Sequence, residues 1–240
     1  MSEAIPAVAP LAPEEPAIEL DLARLSVREC NAALQARDGG LMRLRHPAGR
    51  HNLAVGLRGA VSVEILGHAG YYCAGMNERA HVRVEGNVGV GVAENMMSGR
   101  VEVMRSASQS AGASAHGGLL VVHGDAAARC AISLKGADVV VRGSVGHLAA
   151  FMGQSGRLVV CGDAGEALGD SLYEAALFVR GSVASLGADC LEKELRPSHV
   201  AEIARLLAAA GIDDVSAEEF RRYGSARRLY HFHSEHAGHY

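Results

Sequence analysis

The stretch Leu158-Val-Val-Cys-Gly-Asp-Ala-Gly165 decides the fold, because the same pattern stands nineteen residues earlier as Val139-Val-Val-Arg-Gly-Ser-Val-Gly146. Steps of nineteen along the chain give seven equivalent positions, from 67 to 181. Arg105 occupies one of them, and the other six are glycines, called marker glycines below: Gly67, Gly86, Gly124, Gly143, Gly162 and Gly181. A fixed period of this kind is the signature of a repeat architecture.

Each repeat has the same internal order. The residues two and four before the marker position are branched aliphatic residues in all seven copies, which is the alternation of a strand with one buried face. A polar residue follows the marker position, as is typical of a turn, and small or apolar residues recur two, six and thirteen positions after it. We expect each marker glycine to end its strand with a positive φ in a tight turn.

One main strand in nineteen residues is too little chain for a βαβ unit of about 30 residues or a propeller blade of about 40. The sequence therefore predicts a mainly β fold, a right-handed single-stranded parallel β-helix of about seven 19-residue coils, over residues 61–190. At a strand spacing of about 4.8 Å, seven coils would extend about 29 Å. A left-handed hexapeptide β-helix would need an 18-residue coil, which the observed period disfavours.

The segment before the repeat is predicted in two parts. Residues 1–20 begin with an Ala/Pro/Glu-rich stretch that is typical of disorder. Residues 21–60 contain Ser26 and Glu29, which form a capping-box pattern and predict a helix near 27–37. We expect an irregular lead-in between this helix and the first coil.

The segment 191–240 is predicted to contain capping helices and a docking tail. Apolar residues at helical spacing predict a helix that ends at Gly211: Val200, Ile203, Leu207 and Ala210. Ser216 and Glu219 form a second capping-box pattern. We expect these helices to cover the open end of the solenoid, as terminal repeats must.

Composition excludes several classes of protein. Lys and Arg number 23 against 27 Asp and Glu, and aromatic residues are 4% of the chain, so a nucleic-acid-binding platform is disfavoured. The first residues lack the pattern of a signal peptide, and apolar runs are too short to span a membrane. Five cysteines, 29 to 57 residues apart and without a CxxC pair, predict reduced thiols and a cytoplasmic location.

The candidate chemical groups do not converge in the repeat pattern. His68, His81, His116, His123 and His147 occupy five different phases of the coil, so no stacked metal site is predicted. Cys73 and Cys130 fall in a small apolar column and are expected in the core. We therefore predict no catalytic, cofactor-binding or metal-ligating residue on this chain.

Other segments fit surfaces better than active sites. Gly86-Asn-Val-Gly-Val-Gly91 is similar to a phosphate loop, but it is one copy of a repeated turn without a following helix. The methionines of 94–99 and the hydroxyl-rich stretch 105–118 are predicted to face a partner, with loop variation as the alternative. For the tail histidines, a docking role is favoured over metal binding: His231, His233, His236 and His239.

The coils resemble the "GXGXG" domain, the C-terminal β-helix of the glutamate synthase large subunit. The resemblance covers residues 61–190 and rests on registered Gly-x-x-Gly turns such as Gly67-His-Ala-Gly70, Gly86-Asn-Val-Gly89, Gly143-Ser-Val-Gly146 and Gly162-Asp-Ala-Gly165. Further stretches resemble stand-alone proteins of this family, of the type of the β-helix component of N-methylglutamate synthase: residues 75–79, 94–99, 108–112, 161–170 and 230–233.

This resemblance implies a non-catalytic structural subunit. The implied partners are a class II glutamine-amidotransferase-like subunit and a glutamate-synthase-like subunit that carries FMN and an iron–sulfur cluster. The implied reaction converts methylamine and L-glutamate to N-methyl-L-glutamate and ammonia. Two alternatives stay open: a β-helix scaffold of a formylmethanofuran dehydrogenase/formyltransferase complex, and a self-sufficient β-helix enzyme such as a hexapeptide acyltransferase.

Overall fold

The computed structural model describes residues 16–228, and in this part of the chain eleven strands form one sheet. The strands are β1 (Ile18–Asp21), β2 (Leu41–Arg45), β3 (Ser62–Ile65), β4 (His81–Val84), β5 (Arg100–Val103), β6 (Leu119–Val122), β7 (Lys135–Val141), β8 (Ser155–Val160), β9 (Ala176–Val179), β10 (Cys190–Lys193) and β11 (Arg221–Ser225). Strands β1 to β9 pair in parallel in chain order. Strand β11 then pairs antiparallel with both β9 and β10.

Stacked side chains build the core of the coils. The column of strand residues four before each marker position is buried throughout: Val63, Val82, Val101, Leu120, Val139, Leu158 and Leu177. A second column forms single parallel bridges from coil to coil: Ala69, Val88, Ala107, Ala126, Val145, Ala164 and Val183. Cys73 and Cys130 lie in the third column, also inside the core. The predicted parallel β-helix of about seven 19-residue coils is confirmed.

The marker glycines are required for a reason that differs from the prediction. Of the six, only Gly67 has a φ in the left-handed region, +148°. At Gly143, an added Cβ would lie 2.7 Å from the carbonyl oxygen of Gly124 and would also meet the Asp125 carboxylate. The Gly143 amide donates to that same carbonyl at 3.0 Å. The predicted positive φ is therefore wrong for five of the six positions, where close approach between coils excludes a side chain.

Left-handed backbone lies elsewhere in the coils, mostly on residues that are not glycine. Five, seven and nine positions after Gly67, Tyr72, Ala74 and Met76 have φ of 57°, 54° and 54°. Their amides alternate in direction, since Tyr72 and Met76 donate to the next coil and Ala74 to the preceding one. Each such residue costs about 1–2 kcal/mol in backbone strain. The inter-coil hydrogen bonds offset this cost, and the alternation recurs in later coils.

The sheet begins earlier than predicted. Residues 1–15 lie outside the described part of the chain, and Ile18–Asp21 forms β1 rather than disordered chain. The expected irregular lead-in contains β2, so the region 21–60 already belongs to the solenoid. The offset from Leu41 to its partner Ser62 is 21 residues rather than nineteen, so a nineteen-residue repeat in the sequence does not reveal the coil that contains β2.

Helix α1 (Val27–Gln35) is confirmed together with its capping box. The Glu29 amide donates to Ser26 Oγ at 3.2 Å, and the Ser26 amide donates to the Glu29 carboxylate at 2.8 Å. Cys30 and Leu34 on this helix are buried in the same core as the coils. The helix therefore packs against the N-terminal part of the solenoid core.

The C-terminal region departs from the predicted end cap. Helix α2 (Pro197–Ala209) forms as the apolar spacing predicts, with Gly211 just beyond its end at φ +70°. It packs against the outer face of the sheet rather than the open end of the solenoid. The second capping box does not start an α-helix, because only one 3-10 turn (Ala217–Glu219) forms before β11.

Candidate functional site: the outer face of the sheet

The outward side chains of the sheet change character halfway along the solenoid. The residues three before each marker position pair from coil to coil, and the column continues through β1 and β2. Its first half alternates in charge, and its second half is apolar: Glu19, Arg43, Glu64, Arg83, Glu102, Val121, Val140, Val159 and Phe178. Glu102 lies where the two halves meet.

Glu102 is a buried carboxylate surrounded by basic side chains. Its Oε1 lies 3.1 Å from His123 Nε2 and 3.0 Å from the Arg100 guanidinium. Its Oε2 lies 3.6 Å from His81 Nε2 and 3.8 Å from the Arg83 guanidinium. The Glu102 side chain is only 10% exposed, so solvent screens these pairs weakly.

Electrostatics keep Glu102 ionised. Burial alone raises the pKa of Glu102, but the contacts from His123 and His81 and the charge of Arg100 outweigh it, and the pKa is held well below its usual range. Both ring nitrogens of His81 are buried and have no hydrogen-bond partner among the described residues. A carboxylate held so firmly in its charged form is suited to fixing cations and poorly suited to exchanging protons.

The Glu102 cluster also holds one end of α2. Arg100 donates to the carbonyl oxygen of Ala209, in the last turn of the helix, at 2.6 Å. The helix dipole favours a cation at this end. Arg100 therefore joins the helix to the carboxylate of Glu102 on β5.

A second ionic cluster holds the middle of α2. Arg157 on β8 donates to Asp138 on β7 at 2.9 Å and also pairs closely with Glu202 on the helix. Arg205, also on the helix, lies 3.7 Å from Asp138. Burial raises the pKa of Asp138, and its pairing with Arg157 only partly offsets this effect. Between the two clusters, the helix covers the apolar half of the sheet with Ile203, Leu206 and Leu207.

Sequence reasoning missed the Glu102 cluster. His81 and His123 occupy different phases of the coil, which argues against their meeting. However, His81, Glu102 and His123 follow one another at intervals of 21, which is one coil plus two residues. This spacing places them on a diagonal of the outer face. Within residues 16–228, no group of three or more His, Cys, Asp or Glu is arranged to hold a metal ion.

The polar column after the marker positions is a hydrogen-bond ladder. Each side chain accepts from the backbone amide of the next residue in the column, at donor–acceptor distances from 2.7 to 3.2 Å. The acceptors are His68 Nδ1, Asn87 Oδ1, Ser106 Oγ, Asp125 Oδ1, Ser144 Oγ and Asp163 Oδ1. These residues, predicted as turn formers, thus also bind the coils together. A shallow open depression around Ala107, Ala126 and Val145 follows this ladder.

The cysteines lie in poor positions for nucleophiles. All five are free thiols. Burial raises the pKa of Cys73 and of Cys130 to about 12. Burial also raises the pKa of Cys161 and of Cys190 to about 11. A thiolate is scarce at neutral pH under these conditions, which fits the expected packing role.

The segments predicted to face a partner divide between core and surface. Met96 is fully buried, against expectation, whereas Met97 is 48% exposed. In the stretch 105–118, Ala111 and Ala115 are buried. Among residues 16–228, the exposed large apolar residues are Ile18, Leu66, Tyr71, Met76, Val90, Met97, Met152, Tyr173 and Leu186. The four tail histidines lie outside the described residues.

None of the helices within residues 16–228 is long and apolar enough to cross a membrane. No protein-family model and no solved structure matches the chain. A search of curated proteins does give a match. The chain is 57% identical to Protein GlxC of Rhizobium meliloti (strain 1021) over 225 residues, which span 92% of this chain and 99% of that protein. Identity at this level over nearly the full length of both chains means that this chain belongs to the family of Protein GlxC.

Proposed function

We propose that the chain is a non-catalytic structural subunit of a glutamate-synthase-like complex, of the N-methylglutamate synthase type. In this role it holds an amidotransferase-like subunit and an FMN/iron–sulfur subunit together. These partners would convert methylamine and L-glutamate to N-methyl-L-glutamate and ammonia, and the cofactors would reside on the partner.

The observation that carries this proposal is the use of the polar side chains for stacking. The ladder side chains accept amides of neighbouring coils, and Glu102 holds Arg100 and the end of α2. Such a solenoid presents several extended surfaces that carry different side chains. Different partners can bind to these surfaces, which suits an architectural role. The choice of complex rests on the resemblance of the registered Gly-x-x-Gly coils.

The test is reconstitution of the complex from the full chain and the two candidate partner subunits. We expect the three to co-purify and to form N-methyl-L-glutamate from methylamine and L-glutamate, measured by mass spectrometry. Omission of this chain should abolish assembly and product formation, and its addition should restore both. Full activity of the partners without it, or turnover by the isolated chain, would contradict the proposal.

A formylmethanofuran dehydrogenase/formyltransferase complex is the alternative assembly, because the resemblance extends to β-helix scaffolds of that class. The same experiment distinguishes the two. Co-purification with formyl-transferring subunits, and failure to assemble with the amidotransferase-like subunit, would favour the alternative.

A further inference from the structure

Basic side chains gather where β10, β11 and the first turn of α2 meet. Lys193 on β10 and Arg222 on β11 lie directly opposite each other in the antiparallel pair, and Arg222 also lies opposite Phe178 on β9. Residues that face each other in neighbouring strands have their side chains on the same face of the sheet. Phe178 packs under α2, so Lys193 and Arg222 continue the outward column beyond the apolar strip that this helix covers.

His199 adds a third nitrogen donor from the first turn of α2. Its ring lies over the same position, with its centroid 6.1 Å from that of Phe178. His199 Nδ1 accepts from the Arg196 amide at 3.0 Å, so the neutral ring carries its proton on Nε2. Lys193, His199 and Arg222 are called the basic cluster below.

The charge of the basic cluster is not compensated within residues 16–228. Neither Lys193 nor Arg222 forms an ion pair there, and Arg222 Nε is buried without a hydrogen-bond acceptor. A buried donor without an acceptor indicates a missing water or ion. Burial and the charge of Arg222 lower the pKa of both Lys193 and His199, as expected where cations lie together without an anion.

The neighbouring carboxylates already have other partners. Those whose charges act on His199 are Glu194, which accepts from Arg196 at 3.1 Å, and Glu202, which pairs with Arg157. Asp189, whose charge acts on Lys193, accepts from the Ser225 hydroxyl at 3.0 Å. The first turn of α2 has no acidic residue either. An anion from outside the described chain is therefore the group that the cluster lacks.

We propose that the basic cluster binds an oxyanion of the phosphate type. The planar guanidinium of Arg222 can pair with two oxygens at once, and Lys193 adds a compact charge beside it. The positive end of the α2 dipole acts in the same direction. A phosphate group carries a charge of about −1.5 to −2 at neutral pH and can neutralise both cations, whereas one carboxylate neutralises only one. The bound group would link β10, β11 and the start of α2.

The two lysines of the chain allow a test within one molecule. Lys193 belongs to the basic cluster, and the other lysine, Lys135, is exposed on β7. The full chain is treated with a trace of acetic anhydride, and mass spectrometry gives the acetylation rate of each lysine. Inorganic phosphate should slow acetylation of Lys193 several-fold and leave that of Lys135 unchanged, because a bound anion covers the ammonium and favours its unreactive protonated form.

Salt and charge controls separate binding from screening. Sodium chloride at equal ionic strength should not protect Lys193. Arg222→Gln should abolish the protection by phosphate, and Arg222→Lys, which keeps the charge but not the planar fork, should weaken it. Arg24→Gln removes the same charge from an 87% exposed side chain in the first coil and should leave the protection intact.

Several results would overturn the proposal. These are equal protection by chloride and phosphate, equal slowing at Lys135 and Lys193, and full protection in a folded Arg222→Gln or Arg222→Lys variant. Protection of Lys193 by acetate that matches that by phosphate would assign the cluster to a carboxylate and overturn the choice of ligand.

Discussion

Because the coils stack, each side chain meets the residue nineteen positions away rather than its neighbours in sequence. This arrangement explains why six of the seven coils require a glycine at the marker position and all of them a polar residue directly after it. The marker glycines lie against the backbone of the preceding coil, and the polar residues after them supply an acceptor to the following coil. The first requirement concerns space, whereas the second is met by any short acceptor, including His, Asn, Ser and Asp.

Gly143→Ala should therefore destabilise the protein even though its backbone conformation is open to any residue. The new methyl group would meet Gly124 O at 2.7 Å and the Asp125 carboxylate, so the two coils must separate locally. We expect a loss of about 1–3 kcal/mol in the free energy of unfolding, measured by urea denaturation. Gly39→Ala is the control, because an added Cβ there has no neighbour within 4 Å. Equal losses in both variants would contradict the close-approach argument.

If the ladder stabilises the fold, removing one acceptor side chain should lower the free energy of unfolding, and an isosteric side chain that keeps the acceptor should retain it. Asn87→Ala removes the acceptor for the Ser106 amide, which donates to Asn87 Oδ1 at 3.0 Å. The expected cost is about 0.5–1.5 kcal/mol, since solvent replaces part of the lost bond. Asn87→Asp keeps an oxygen in place and should retain most of the stability. If Asn87→Ala and Asn87→Asp have the same midpoint of denaturation, the ladder does not contribute.

Sequence reasoning performs well for residues whose environment repeats. The inward columns are predictable because each coil requires the same kind of side chain, as at Val82 and Val101. The left-handed residues escape prediction because most of them are residues with no preference for that conformation, such as Tyr72, Arg129 and Leu148. The Glu102 cluster escapes it because its members meet on a diagonal, and a search within single columns cannot find it.

At the scale of elements, Glu102 links strand β5 to helix α2. Glu102→Gln would leave Arg100 and Arg83 without their buried counter-charge, and Arg100 would hold the Ala209 carbonyl alone. We expect a loss of about 3 kcal/mol in the free energy of unfolding at neutral pH. Glu64→Gln is the control in the same outward column, because Glu64 pairs with Arg43 and is more exposed. It should cost less than about 1 kcal/mol.

The pH dependence of this effect has a definite sign. Folding lowers the pKa of Glu102, so its contribution to stability is complete above the ordinary glutamate pKa of about 4.3 and is lost as the pH falls below it. The difference in stability between the wild-type protein and Glu102→Gln should therefore narrow below about pH 4. A difference that widens on acidification would show that Glu102 does not carry a stabilising charge.

At the scale of the whole molecule, the two halves of the outer face of the sheet are shielded from solvent in different ways. The first half covers itself with paired charges such as Arg43–Glu64, whereas the second half is apolar and is covered by α2. The sequence analysis predicts that α2 covers the open end of the solenoid, which is wrong. That prediction treats only the inward residues of each strand as apolar, so it leaves no apolar surface on the outer face for a helix to cover. Strands whose outward residues are also apolar, such as β7 with its run of valines, require a cover on both faces.

Detaching α2 should therefore expose one half of the solenoid without unfolding it. Leu206→Asp places a charge in the contact between α2 and the sheet, where Leu206 is fully buried. The segment that carries α2 leaves from β10 and returns in β11, and these strands pair with each other and with β9. The sheet is thus closed independently of the helix. Ala204→Asp places the same charge on the exposed side of α2 and is the matched control.

We expect Leu206→Asp to keep the strand signal in far-UV circular dichroism, to bind a hydrophobic dye and to self-associate in size-exclusion chromatography. The reason is that release of the helix uncovers Val121, Val140, Val159 and Phe178, a continuous apolar strip. The contact between α2 and the sheet should be weakened by about 3 kcal/mol or more, because a charge replaces a buried leucine. Ala204→Asp should elute as the wild-type protein does and should not bind the dye. Loss of all strand signal in Leu206→Asp would show instead that the helix and the coils fold as one cooperative unit.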